Sequence, residues 1–146
     1  MARKLQKLAK LSSREWALLV QLTLFSSAEA VALRVIGLPR LIHFIARNAL
    51  KPWARWFPVY QDGVDPGRLA QLVDLAATVT HGHGRCLARS LALFWLLKAR
   101  GEKPELLIGV RKEATALSSH AWIVSQGVVM SDSQELTTSF APLLRF

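Results

Sequence analysis

The apolar spacing of this chain changes period at Gly101. Upstream, apolar residues recur at helical intervals. Downstream, they fall into short runs bounded by turn residues, the mark of strands. Helices first and strands after make an α+β protein. The single cysteine, Cys86, forbids an internal disulfide, so the 146 residues, 51% of them apolar, hold together by core burial alone. A free thiol fits a reducing, cytoplasmic compartment.

The helical part has clear punctuation. Ser12-Ser13-Arg14-Glu15 has the spacing of a capping box and predicts a helix from about Ser13 to about Ile36, closed by Gly37. Its stretch from Trp16 to Ala28 is 13 residues without charge, short of the roughly 20 that cross a bilayer. A buried or partner-covered helix is expected, with membrane-surface contact as the lesser alternative. A second helix is expected from Pro39 to Leu50. A Pro-bounded aromatic stretch, Lys51 to Pro58, leads into a boundary near residues 51–64. The division is therefore 1–60, a basic apolar helical region suited to partner docking, and 61–146, a core carrying the chemistry. Asp65-Pro66 reads as an N-cap followed by Pro at the first helical position. That helix ends before His81-Gly82-His83-Gly84, and the next runs from Cys86 to Arg100 with enough apolar positions to be central and buried.

Three strands are expected: Glu105–Arg111, His120–Val124 and Val128–Asp132, the last two joined by Ser125-Gln126-Gly127. A three-residue loop pairs Val124 with Val128 and sets His120 opposite Asp132 on one face of the sheet. A two-residue loop that pairs Val124 with Gly127 opposes His120 to Ser131 and turns Asp132 away.

Charge is unevenly placed. Residues 1–60 hold 10 Lys and Arg against 2 Asp and Glu; residues 61–146 hold 9 against 8. A basic front suits an acidic protein partner, anionic lipid or nucleic acid. Without an aromatic-interleaved RNA motif or a DNA-reading helix, nucleic acid comes last. Met1-Ala2-Arg3-Lys4 is basic, but no small-residue cleavage site follows a short apolar stretch, so no signal peptide is expected.

Cys86, His120 and Asp132 are the candidate catalytic residues. A thiol in the first turn of a helix lies near unpaired N–H groups and the positive end of the helix dipole, which favours the thiolate. A His can hold that thiolate as an ion pair and protonate a leaving amine, and an Asp can fix the imidazole tautomer. The backbone N–H of Cys86 is a candidate oxyanion donor. Taken singly, Cys86 reads as a small core residue, His120 as a satisfied core histidine and Asp132 as a turn or cap residue. Their placement at a helix start and on adjacent strands favours chemistry. Arg85 and Arg89 are expected as surface or substrate-facing charges, and Trp122 as a wall beside His120. His81-x-His83 has metal spacing but no further ligands nearby, so no metal and no cofactor are expected.

Three blocks in order resemble a known family: Cys86-Leu87-Ala88-Arg89-Ser90-Leu91-Ala92-Leu93, then Ile108-Gly109-Val110-Arg111, then His120-Ala121-Trp122-Ile123. They are similar to the transglutaminase-like proteases that mature lasso peptides. The resemblance covers about residues 65–146. It implies a papain- or transglutaminase-like core, with a central Cys-bearing helix on a small antiparallel sheet. It also implies a Cys86–His120–Asp132 peptidase that removes the leader from a ribosomal lasso precursor. Some relatives carry a strand-containing leader-binding domain, the RiPP recognition element, in front. The front of this chain reads as helices, so the resemblance implies a stand-alone protease served by a separate recognition protein, with a lasso macrolactam synthetase acting next. The alternatives are an acyltransferase of the transglutaminase type, which passes the acyl group to an amine, and a non-catalytic helical interaction protein.

Overall fold

A computed structural model describes residues 11–58, 61–81, 85–130 and 132–146. The basic residues 1–10, His83 and Ser131 lie outside the described residues.

Helix α1 spans Ser13–Ile36 and is nucleated as its first residues dictate. Ser12 Oγ accepts from the Glu15 N–H, and the Glu15 carboxylate accepts from the Ser12 N–H at 2.8 Å. Such a box is worth about 1 kcal/mol. Leu18, Leu22, Ser26 and Glu29 form its buried stripe, while Val20, Leu24, Val31 and Val35 are exposed. By length and composition α1 could cross a membrane; here one face belongs to the core. Helix α2, Leu38–Asn48, buries Leu41, Ile42 and Ile45, and a 3-10 turn follows at Pro52–Trp56.

Helix α3 spans Pro66–His81 and α4 spans Arg85–Ala99. Asp65 caps α3 by accepting from the Arg68 N–H at 3.2 Å. Helix α4 is buried nearly all round, as its composition requires of a central helix. Leu91, Leu93, Phe94, Leu96 and Leu97 are fully buried there, each contributing roughly 2 kcal/mol of apolar transfer. Leu18, Leu22, Leu41 and Ile45 join the same cluster, so α1 and α2 share one core with α3 and α4.

Strands β1 (Glu105–Lys112), β2 (Leu117–Ser125), β3 (Val128–Met130) and β4 (Ala141–Arg145) form an antiparallel sheet in the order β3-β2-β1-β4. Leu106 and Ile123 face the helical core, whereas Leu107, Trp122 and Phe140 make a second cluster on the other face. A short helix, α5 (Gln134–Thr138), precedes β4. The chain is thus α+β, with the cysteine helix against a small sheet and a helical region in front.

The hairpin differs from expectation. The β2–β3 loop is Gln126-Gly127 alone, pairing Ser125 with Val128, Val124 with Val129 and Ile123 with Met130. Gln126 and Gly127 take φ of 52° and 78°, the pattern of a type I′ turn, whose twist matches the strands. Extended, this register would set His120 opposite Ser133 rather than Asp132. It does not extend: β3 stops at Met130, and Asp132 lies beyond the ladder.

Candidate active site

Cys86 is the second residue of α4, in its first turn. Two contacts tie this helix to β2 beside His120. Ser90, one turn along from Cys86, donates its hydroxyl to the Ala121 carbonyl at 2.9 Å. The Ala121 N–H in turn donates to the Cys86 sulfur. Helix and strand are thereby locked on either side of the thiol, and the His120 imidazole is brought into hydrogen-bond contact with it.

His120 is held by aromatic packing. Its ring stacks on Trp122, with centroids 6.0 Å apart and planes 17° apart, and meets Phe140 at 5.2 Å. The Arg111 guanidinium sits over the outer part of this stack, 4.6 Å from the Phe140 centroid. Trp122 is therefore the wall that the sequence implied. Gly109 makes room for it: a Cβ there would lie 2.8 Å from the Trp122 ring and 2.8 Å from the Ala141 carbonyl oxygen.

Nε2 of His120 points to Asp132 Oδ2 at 3.5 Å, ion-pair distance without hydrogen-bond geometry. Nδ1 is the nitrogen left for the thiol. The electrostatics follow. His120 is pushed up to about 9, chiefly by its contact with the Asp132 carboxylate and next by Cys86, against desolvation. The Cys86 thiol is held below its usual value, mainly by the His120 contact and against burial, with the Ala121 and Leu87 N–H groups assisting. Burial pushes Asp132 up, but His120 and Arg89 outweigh it and keep the carboxyl below its ordinary range. The carboxylate-backed imidazole thus favours the thiolate of Cys86, and the thiolate in turn favours the imidazolium.

Arg89 departs from expectation. It is buried rather than exposed, and it donates to Asp132 Oδ2 at 2.6 Å and to Asp74 Oδ1 at 3.2 Å. A carboxylate on each terminal guanidinium nitrogen makes its burial tolerable. Arg85 is exposed, as expected. The clue to Arg89 was its spacing: three residues after Cys86, it shares the cysteine's helix face. Asp132 serves as neither turn nor cap residue for α5; that cap is Ser133, whose hydroxyl accepts from the Leu136 N–H. His83 of the His81-x-His83 spacing, where no metal is expected, lies outside the described residues.

The family profile described as transglutaminase-like superfamily matches residues 30–145. The chain belongs to that superfamily. A search among curated proteins and one among solved structures return no significant match. This superfamily includes cysteine peptidases and acyltransferases, so enzymatic thiol chemistry of that broad type agrees with the assembly around Cys86. The match begins inside α1, so the family region takes in the end of α1 and all of α2 as well as the sheet.

Proposed function

We propose that the chain is a cysteine peptidase that removes the leader from a lasso precursor peptide in the cytoplasm. The observation that carries the peptidase part is the Cys86–His120–Asp132 assembly. The lasso assignment is supported by the three residue blocks quoted above.

The chemistry runs in two halves. The Cys86 thiolate attacks the scissile carbonyl carbon, and the oxygen takes the negative charge beside the N–H groups of the first turn of α4. The tetrahedral adduct collapses, the C–N bond breaks, and the His120 imidazolium gives its proton to the departing amine. The leader is then held as a thioester. His120, now neutral, takes a proton from water, whose oxygen attacks the thioester. The C–S bond breaks, leaving a leader carboxylate, a thiolate and an imidazolium. Asp132 keeps the imidazole oriented and its charged form favoured throughout.

A separate recognition protein would deliver the leader, and a macrolactam synthetase would close the freed core. The basic front and the exposed apolar face of α1 support docking of that recognition protein. The test is reconstitution of precursor, recognition protein and this chain, followed by mass spectrometry. Cleavage between leader and core, lost in Cys86→Ala, is expected. Amine adducts in place of a free leader acid would make the chain an acyltransferase, and full cleavage by Cys86→Ala would overturn the assignment.

A further inference from the structure

At the opposite end of α4 from the thiol, the chain encloses a second feature that thiol chemistry does not use. Cys86 and Trp95 are nine residues apart on that helix, about 14 Å along its axis. Around Trp95 lies a cavity of about 270 Å³ between α1, α2, the 3-10 turn and α4. Its walls are apolar or aromatic with one exception, Glu29.

Glu29 is 3% exposed, and neither carboxyl oxygen has a hydrogen-bond partner among the described residues. Burial pushes the carboxyl well above its usual range, with no basic group among the described residues to offset it. Trp95 cannot supply the missing donor, because its indole N–H is given to the Phe57 carbonyl at 3.2 Å. A buried, unpartnered carboxyl is costly, and a leucine at that position would pack without the penalty.

The walls supply the complementary half. Phe25 packs on Trp95 at 5.6 Å and on Phe57 at 6.5 Å, and Trp53 packs on Trp95 at 5.6 Å. Phe44, Trp53 and Phe57 reach the surface at the mouth. Aromatic faces attract cations, and a low-polarity wall accepts an aliphatic stem. We propose that this cavity is a binding site for a primary ammonium on an apolar stem, the stem lying among Phe25, Trp53, Phe57 and Trp95 and the ammonium pairing with Glu29. The site is independent of the peptidase reading.

The experiment is calorimetric titration of the full chain with n-pentylamine, 1-pentanol and pentanoate, which share a stem and differ in the head. Pentylamine is expected to bind at least about tenfold tighter than pentanol, with pentanoate weakest of the three. Glu29→Gln keeps the side-chain size and should bring amine and alcohol within about twofold of each other. Trp53→Ala, at a half-exposed wall, should weaken the amine by about three- to fivefold without unfolding the chain. Nα-acetyl-lysine methylamide separates the sources: tighter binding than pentylamine assigns the ammonium to a polypeptide lysine, and weaker binding to a free amine. Equal affinity for amine and alcohol, an amine preference that survives Glu29→Gln, or no amine binding at millimolar concentration overturns the proposal. If Glu29→Gln fails to fold, the wild-type comparison of amine with alcohol decides.

Discussion

Arg89 Nη2 lies 2.6 Å from Asp132 Oδ2, closer than His120 Nε2, which stands 3.5 Å from the same oxygen. The carboxylate that orients the histidine is thus itself held by an arginine, and that arginine is held in turn by Asp74. Removing Arg89 leaves a buried carboxylate short of its closest partner. Arg89→Met should therefore destabilise the fold by about 3 kcal/mol. The half-exposed Asp74 should matter far less, with Asp74→Asn costing under about 1 kcal/mol. Denaturant melts of the two variants check the ordering. Equal, small losses would mean that Asp132 keeps its place without Arg89.

Thiol reactivity should report the ion pair directly. The Cys86 thiol is lowered and His120 raised to about 9, each group favouring the charged form of the other. Iodoacetamide should alkylate Cys86 readily at pH 7, and His120→Asn should slow it by about tenfold or more. Peptide cleavage also needs the histidine proton, so its rate should fall as pH rises through about 9. A single inflection for alkylation near the ordinary thiol value of 9.0, unchanged in His120→Asn, would show that the pair does not form.

The helices were legible because their ends carry local chemistry. Ser12 and Glu15 close a box, and Asp65 caps α3, each within a few residues of sequence. The hairpin register was not legible. Gly127 advertises a turn, but Gln126 at a φ of 52° has no signature, because glutamine rarely takes that conformation. Strand β4 escaped because Pro142 argues against a strand. It is tolerated on this edge strand, beside a register shift at Ile108 and Gly109. The site residues could be read as types before their contacts could be. The His120–Asp132 contact arises where the chain leaves the ladder, which no strand periodicity describes, and the burial of Arg89 depends on two carboxylates far from it in sequence.

Asp132→Asn tests the orienting role. It preserves shape but favours the wrong imidazole tautomer, and the loss in cleavage can reach about four decades. Stability should respond with a definite sign. The folded Asp132 is lowered from 3.8, so its contribution is present above that value and is lost as pH falls through the folded one. The His120 contribution is complete below 6.5 and is lost as pH rises through about 9. Melting temperatures of wild type and Asp132→Asn should therefore converge at acid pH. A constant gap from neutral pH down to strong acid would assign the difference to packing.

Gly109 should be intolerant of any side chain. The Cβ of alanine would press on the Trp122 ring and on the Ala141 carbonyl, and the second is backbone that cannot swing aside. Gly109→Ala should cost about 1–3 kcal/mol and shift Trp122, and with it the stacked His120. Near-ultraviolet circular dichroism and the alkylation rate should change together. Wild-type values for both would mean that β1 and β4 separate freely at this point.

Docking of a recognition protein can be tested without disturbing the core. Truncating the front would remove Leu18, Leu22, Leu41 and Ile45 from the shared cluster, so loss of activity would say nothing about a partner. Leu24 and Val35 offer a cleaner route, being 64% and 75% exposed on the face of α1 turned away from that core. Leu24→Gln and Val35→Gln should stay within about 0.5 kcal/mol of wild-type stability. Alkylation of Cys86 should be unchanged in both. If α1 receives the recognition protein, cleavage should require a higher concentration of that protein in the variants, while the rate at saturation stays the same. High salt should raise the required concentration further if the basic front contributes, since exposed charges are screened. Titration of the recognition protein against cleavage rate, at low and high salt, reads both effects. A wild-type chain that reaches its maximal rate alone would remove the need for the partner, and unchanged titrations in both variants would move docking away from α1.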